Sequence, residues 1–409
     1  TLRLLGLSRL KSGDVQGAID AFAMFATEYP ESPEQAINHL DWGKALIFHG
    51  SLGEALTVLA PVMTDAAGGH PAYEARYWVG KAHLQLGDVE TGRAVLTPLV
   101  TNPEVAEGIR VKAVLVVADG LSASGDTDGA VQLLGDTLAA SPGEAHQRDL
   151  SQALCSALLK GGRLDEAIPL VRAYVSSNAE AAASASLQLQ LGEVLLDAER
   201  HDEAILVYQQ YLETFAREGG QAHARMGHGW ALVGVGRYAE AAVAFEKAHD
   251  LFTVPEQRTE SLLKVADARF LNAQFQHAQE LYERFLEEFP GSLHGAEAKF
   301  QLAACLEALG KHEETERAFE RVVEEHPDSP EATEALLRIG ELHHALKEWK
   351  AAEAAFDRVM QRVESGPLFA AALHGRGLAR YQLWSPDALA DFERIGVEYS
   401  SDDVAAHAL

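Results

Sequence analysis

The sequence predicts an all-α fold, a right-handed superhelical α-solenoid of about eleven helix-turn-helix units with a 37-residue period. Three columns of residues carry the prediction. The first ends a turn, Gly162-Arg163-Leu164-Asp165-Glu166-Ala167, that returns as Gly236-Arg237-Tyr238-Ala239-Glu240-Ala241. Its last position reads Ala18, Ala55, Gly92, Ala130, Ala167, Ala204, Ala241, Ala278, Thr315, Ala352 and Ala388, in steps of 36 to 38 residues. The second column lies twelve residues earlier (eleven in the last unit) and is small throughout: Gly6, Gly43, Gly80, Ala118, Cys155, Gly192, Gly229, Ala266, Ala303, Gly340 and Gly377. The third lies four residues after the turn residue and is bulky: Phe22, Leu59, Leu96, Leu134, Val171, Tyr208, Phe245, Tyr282, Phe319, Phe356 and Phe392.

Each column assigns an element. Glycine inside a helix costs about 1 kcal/mol against alanine, so the small column predicts a close approach of the two helices of a unit. The bulky column lies one helical turn beyond the turn residue and supplies the knob for that hole. Gly13, Gly50, Gly87, Gly125, Gly162, Gly236 and Gly310 share one phase, where a left-handed residue ends the first helix. The second helix stops at proline in Phe289-Pro290-Gly291-Ser292 and His326-Pro327-Asp328-Ser329-Pro330, with Ser292 or Ser329 capping the next helix. Pro61 and Pro98 fall inside second helices, 37 residues apart, and are expected to kink or shorten them. With the Gly68-Gly69-His70-Pro71 loop they make units two to four the least regular stretch, where curvature is expected to change.

Composition agrees. A chain of 409 residues would ordinarily divide into two or three domains, but Ala, Leu and Glu dominate this one and aromatics are 7%. Val111 to Val117 could be a buried strand by itself, yet it sits inside a longer helical pattern. The net charge of −27 repels phosphate backbones and argues against nucleic acid as a direct partner. From Gln301 onward there are 21 acidic and 11 basic residues, against 11 and 7 in the first hundred. No stretch approaches the roughly 18 apolar residues of a membrane span. No signal peptide is visible, and the sequence begins at Thr1.

These columns resemble tetratricopeptide repeats (TPR), over the whole chain. That family places a small residue in its first helix, Ala near the start of the second, an aromatic one turn later and a closing Pro. The period departs from the family's 34 residues, the extra ones lying in the loop between units. The units approximate residues 1–30, 31–68, 69–104, 105–142, 143–179, 180–217, 218–255, 256–291, 292–328, 329–365 and 366–400, with a twelfth beginning at 401–409. Both ends are expected to cut a repeat, since neither looks like a polar cap. Units with the Pro-x-Ser loop, especially Ala278 to Val359, are similar to periplasmic bacterial relatives of the TolA-binding protein and outer-membrane assembly lipoprotein type.

A search for chemistry predicts no enzyme, no catalytic residues, no cofactor and no metal. Gly43-Lys44, Gly80-Lys81 and Gly310-Lys311 lack the glycine five residues upstream that a phosphate loop needs. Gly227-His228-Gly229 and Gly375-Arg376-Gly377 follow no strand and contain column glycines. Cys155 and Cys305 lie four repeats apart, cannot pair, and are read as buried apolar residues. His343 and His344 could approach His374, but the set lacks a chelating pattern.

The family resemblance implies a partner groove on the first helices. Carried onto this phase it comprises Met226, Trp230, Val233, Leu263, Asp267, Phe270, Leu271, Phe300, Glu307, Leu337, Glu341, His344, His374 and Tyr381, with His223, Glu260, Glu297 and Glu334 along one edge. Such an apolar, acidic groove suits a protein or peptide partner, amphipathic or basic. Trp230 and Phe270 either anchor that partner or pack against the adjacent helix and each other. Lys44, Lys81 and Lys112 in the N-terminal units do not form the basic clamp that TPR chaperone adaptors use. The expected function is a scaffold or accessory subunit of a bacterial multiprotein assembly, with no membrane span in this segment. The alternative is a regulatory or anchoring region of a larger protein whose catalytic or membrane domain lies outside it. The resemblance places it in the periplasm or cell envelope ahead of the cytoplasm.

Overall fold

A computed structural model describes residues 2–64, 69–140, 142–180, 182–217 and 219–399. Gly68 and the predicted start of a twelfth unit at 401–409 lie outside the described residues. Among those described there are 22 α-helices and no strand, an all-α helical repeat. The chain forms two compact units, Thr1–Leu195 and Leu196–Leu409.

The N-terminal unit runs α1 (Leu2–Lys11), α2 (Val15–Glu28), α3 (Gln35–His49), α4 (Leu52–Met63), α5 (His70–Gln85), α6 (Val89–Thr101), α7 (Glu107–Ala123), α8 (Thr127–Ala139), α9 (Glu144–Lys160), α10 (Leu164–Ser177) and most of α11 (Ala182–Asp197), whose last two residues belong to the next unit. Val111 to Val117 lies within α7 and is helical. The C-terminal unit continues with α12 (His201–Thr214), α13 (Gln221–Gly234), α14 (Tyr238–Leu251), α15 (Pro255–Leu271), α16 (Phe275–Glu288), α17 (Gly295–Ala308), α18 (His312–Glu325), α19 (Pro330–Ala345), α20 (Trp349–Arg362), α21 (Pro367–Gln382) and α22 (Asp387–Glu398).

The small and bulky columns meet inside each pair. A Cβ added at Gly6 would lie 2.5 Å from Phe22, one at Gly43 2.3 Å from Leu59, and one at Gly229 2.4 Å from Phe245. No real Cβ sits that close, so the knob occupies the glycine's own side-chain space. Where the column holds alanine the same pairing persists: Ala266 shares a core cluster with Tyr282, and Ala303 with Phe319. Glycines two residues before the column have a separate cause. Gly227 receives Tyr208 and Gly375 receives Phe356, each from the second helix of the preceding pair. The two Gly-x-Gly sequences are therefore packing notches on both sides of one helix.

The turn phase is more uniform than its residues. Gly13, Gly50, Gly87, Gly125, Gly162, Gly236 and Gly310 all have φ between 65° and 90°. Glu199, Ala273, Lys347 and Trp384 stand at the same phase and adopt φ of 55° to 63° without being glycine. Glycine and non-glycine turns alike close Schellman-type caps, as in Asp14 N to Arg9 O at 2.9 Å and Glu348 N to His343 O at 2.8 Å. Ser329 caps α19 by accepting from Ala332 N. Ser292 does not cap α17 and accepts instead from His294 N before the helix begins. Pro61 and Pro98 lie inside α4 and α6, which are 12 and 13 residues long against 14 for α12.

Candidate protein-binding face

In the C-terminal unit α15 packs on α17, α17 on α19, and α19 on α21, so their first-helix faces adjoin. The predicted groove positions divide by burial. Leu263 is wholly buried in a cluster with Tyr282 and Phe285, and Leu337 is buried with Phe319 and Val322. These two are core residues and present nothing to a partner: Leu263 turns inward against α16 of its own pair and Leu337 against α18 of the preceding one. Met226 and Phe300 are half-buried, the first beside Phe252 and the second 5.3 Å from the Phe319 ring. Val233 is half-buried as well. Trp230, Leu271 and Tyr381 are exposed, at 38%, 49% and 63%.

The aromatic residues do not stack on one another. Trp230 stands edge-on to Phe245 of its own pair at 5.6 Å, and Phe270 edge-on to Phe275 at 5.3 Å. His344 packs on Trp349 and His374 on Phe392. His343 is engaged by carboxylates instead, its Nδ1 2.7 Å from Glu348 and its Nε2 3.4 Å from Glu316.

Most carboxylates of the predicted groove and its edge are already engaged. Lys264 on α15 places Nζ 2.8 Å from Asp267 and 3.9 Å from Glu297, and 5.4 Å above the ring centroid of Trp230. Asp267 also accepts a hydrogen bond of 2.7 Å from the buried hydroxyl of Tyr282. Two repeats further on, Arg338 bonds Glu307 at 2.5 Å and Glu341 at 3.1 Å. Glu260 and Glu334 are exposed, with no ion pair among the described residues. The face is thus a ladder of compensated charges with two unpaired glutamates and a few exposed apolar side chains. Lys264 and Arg338 escaped the sequence reading because their phase is not among the groove positions the family resemblance supplies. Their signal is there nonetheless, since Lys264/Asp267 and Arg338/Glu341 repeat the same i, i+3 pair 74 residues apart.

Beside this face lies an ionic cluster that sequence reasoning missed. Asp391 on α22 is almost fully buried and accepts from Arg376 at 2.6 Å and Arg380 at 3.0 Å, both on α21. Arg376 also reaches Asp357, and Arg380 reaches Glu353, both on α20. The N-terminal unit has paired charges on its first helices, Arg3 with Asp41 and Lys44 with Glu74, while Lys81 lies 5.1 Å over the Trp78 ring. A recess of about 600 Å³ lined by Leu154, Cys155, Leu170 and Tyr174 opens between α9 and α10, where no sequence pattern pointed. Both cysteines are buried, and burial pushes the Cys155 thiol up to about 11 and that of Cys305 to about 12. Neither supplies a thiolate at neutral pH.

Among the described residues no helix is long and apolar enough to cross a membrane. Tetratricopeptide repeat family models match residues 1–32, 121–191 and 189–253. A family model described as outer membrane lipoprotein matches residues 228–364, within the C-terminal unit. Among solved structures, the chain is similar to a tetratricopeptide repeat protein from Parabacteroides merdae at 16% identity, with 64% of this chain and 97% of that one covered and a TM-score of 0.44. The APC/C hetero-tetramer Cut9-Hcn1 follows at 13% identity, covering 100% of this chain and 88% of that one, with a TM-score of 0.38. Yeast Tom70 is similar at 11% identity, covering 100% and 94%, with a TM-score of 0.38. No curated protein sequence matches the chain at a significant level. The matched repeats carry the glycine notches, bulky knobs and left-handed turns described above, so the chain carries tetratricopeptide repeats, and its residues 228–364 are similar to an outer membrane lipoprotein family.

Proposed function

We propose that the chain is a protein-binding scaffold, an accessory subunit of a bacterial cell-envelope assembly that holds a peptide or helical segment on the first-helix face of its C-terminal unit. The observation that supports this reading best is the half-open position of Trp230. A large aromatic residue fixed edge-on by Phe245 yet 38% exposed offers a rigid anchor at low entropic cost. Leu271 and Tyr381 extend apolar surface along the same set of helices, and Glu260 and Glu334 leave unpaired negative charge for a partner's basic residues. The envelope assignment draws on the outer membrane lipoprotein match, which spans α14 to α20.

Affinity purification with mass spectrometry, comparing wild type with Trp230→Ala and Phe270→Ala, tests the face. Loss of one reproducible set of partners is expected. A photo-crosslinker at Leu271 or Tyr381 should recover the same set. If every partner stays bound to both variants, the binding surface lies elsewhere.

A further inference from the structure

We propose that Trp230, Asp267 and Glu297 form a receptor for one arginine side chain of a partner, and that Lys264 fills this receptor in the unbound protein as a built-in competitor. The inference rests on the binding face proposed above and specifies its chemistry.

Three groups from three helices surround one cation. The Trp230 ring comes from α13, the Asp267 carboxylate from α15 and the Glu297 carboxylate from α17, at 5.4, 2.8 and 3.9 Å from Lys264 Nζ. Each wall is held in place without Lys264. The Tyr282 hydroxyl, on a wholly buried side chain, fixes Asp267 at 2.7 Å. The Phe245 ring fixes Trp230, and Glu297 lies 3.1 Å from His294 Nδ1. A flexible lysine stem, about one-fifth exposed, can swing out of such a frame at the cost of its charge-assisted contact to Asp267.

The frame suits a guanidinium better than the ammonium now in it. A planar guanidinium stacks on an indole face and directs its fork of N–H donors at carboxylates in the same plane. An ammonium is a point charge, and Lys264 reaches Glu297 only at 3.9 Å.

The molecule carries its own control. Arg338 repeats the cation of Lys264 two repeats later and bonds Glu341 and Glu307. There, however, Ala304 stands at the phase of Trp230 and the second carboxylate, Glu307, comes from the preceding first helix, so that site pairs charges without the indole.

The probe is a short leucine-serine peptide with one central arginine, compared with its citrulline analogue by fluorescence anisotropy on the full chain. Lys264→Met should tighten the arginine peptide about tenfold, the scale of one freed charge-assisted contact, and leave the citrulline peptide unchanged. Lys264→Gln should act in the same direction, guarding against a folding defect in one variant. Adding Glu297→Gln or Trp230→Ala to Lys264→Met should abolish the gain, and Arg338→Met should produce none. The proposal is overturned if Lys264→Met and Lys264→Gln leave affinity unchanged, or if the citrulline peptide tightens equally. Partner loss in Trp230→Ala with no effect of Lys264→Met would keep the binding face and remove the arginine receptor. Tightening by Lys264→Met, with all partners retained by Trp230→Ala and Phe270→Ala, would keep the receptor and move the main partner-binding surface elsewhere.

Discussion

A Cβ built on Gly340 would lie 2.6 Å from Cε1 of Phe356. The ring cannot retreat, because Gly375 of the next pair stands on its other side with a Cβ position 2.4 Å from Cζ. Gly340→Ala therefore sets a helix-propensity gain of about 1 kcal/mol against overpacking of about 1–3 kcal/mol. With both walls fixed, overpacking wins. We expect a net loss of up to about 2 kcal/mol, read as a lower denaturation midpoint. Adding Phe356→Leu should recover part of it. A double variant no more stable than the single would show that the ring is not the obstacle.

The turn phase predicts the opposite sign for a change to glycine. Left-handed backbone costs an L-residue about 1–2 kcal/mol, while the unfolded-state entropy of glycine returns about 0.4–1 kcal/mol. Ala273→Gly and Lys347→Gly, at φ of 55° and 63°, should each stabilise the fold by about 0.5–1 kcal/mol. Gly310→Ala, at φ 73°, should destabilise it by a similar amount. Thermal melts of the three variants decide this. If Ala273→Gly lowers the melting midpoint, the turn there does not strain its alanine.

That phase also shows how far the sequence could be read. The helix pairs were legible because small and bulky residues recur in eleven copies, so a lone exception such as Cys155 cannot hide the period. The turns at Glu199, Ala273, Lys347 and Trp384 were legible only through their neighbours, since the residue itself disfavours the conformation it adopts. The proposed binding face was half legible. Its exposed aromatics follow from helical phase, but Leu263 and Leu337 at a predicted groove phase are core. Lys264 and Arg338 connect helices across repeats, a relation of long side chains that no single column displays. Pro169 lies inside α10, which nevertheless reaches 14 residues, so a helix proline need not shorten its helix.

Asp391 breaks the pattern most sharply. The corresponding residue is Ala355 one repeat earlier and Ala318 two repeats earlier, whereas Asp391 is buried and charged, held by Arg376 and Arg380. Removing one partner of such a cluster strands the remaining charges. Asp391→Ala should cost about 3–5 kcal/mol. Replacing all three, Asp391→Ala with Arg376→Leu and Arg380→Leu, should restore most of the loss, because apolar residues suit this position elsewhere in the chain. Urea denaturation of the single and triple variants tests it. A triple variant as unstable as the single would mean that the ions also hold α20 through Asp357 and Glu353 in a way packing cannot replace.

His249 gives the fold a pH dependence of defined sign. Its Nδ1 lies 3.0 Å from the carbonyl oxygen of Arg258 and 3.2 Å from Ser261 Oγ, while Nε2 lies 3.3 Å from the Arg258 guanidinium. Nδ1–H then donates to the carbonyl and Nε2 accepts from the guanidinium, which requires a neutral ring. Burial holds the imidazole below its ordinary 6.5, and the facing Arg258 charge pushes the same way. Protonation would set two cations against each other in the core. The unfolded chain binds this proton more readily than the folded one, so the contribution is present above 6.5 and is lost as pH falls below it. Burial likewise depresses His228 on α13. The urea midpoint of the wild type should fall between about pH 8 and about pH 5.5, and His249→Gln should fall less. A further flattening is expected when His228→Asn is added. An unchanged pH slope in His249→Gln would place the proton uptake on other groups.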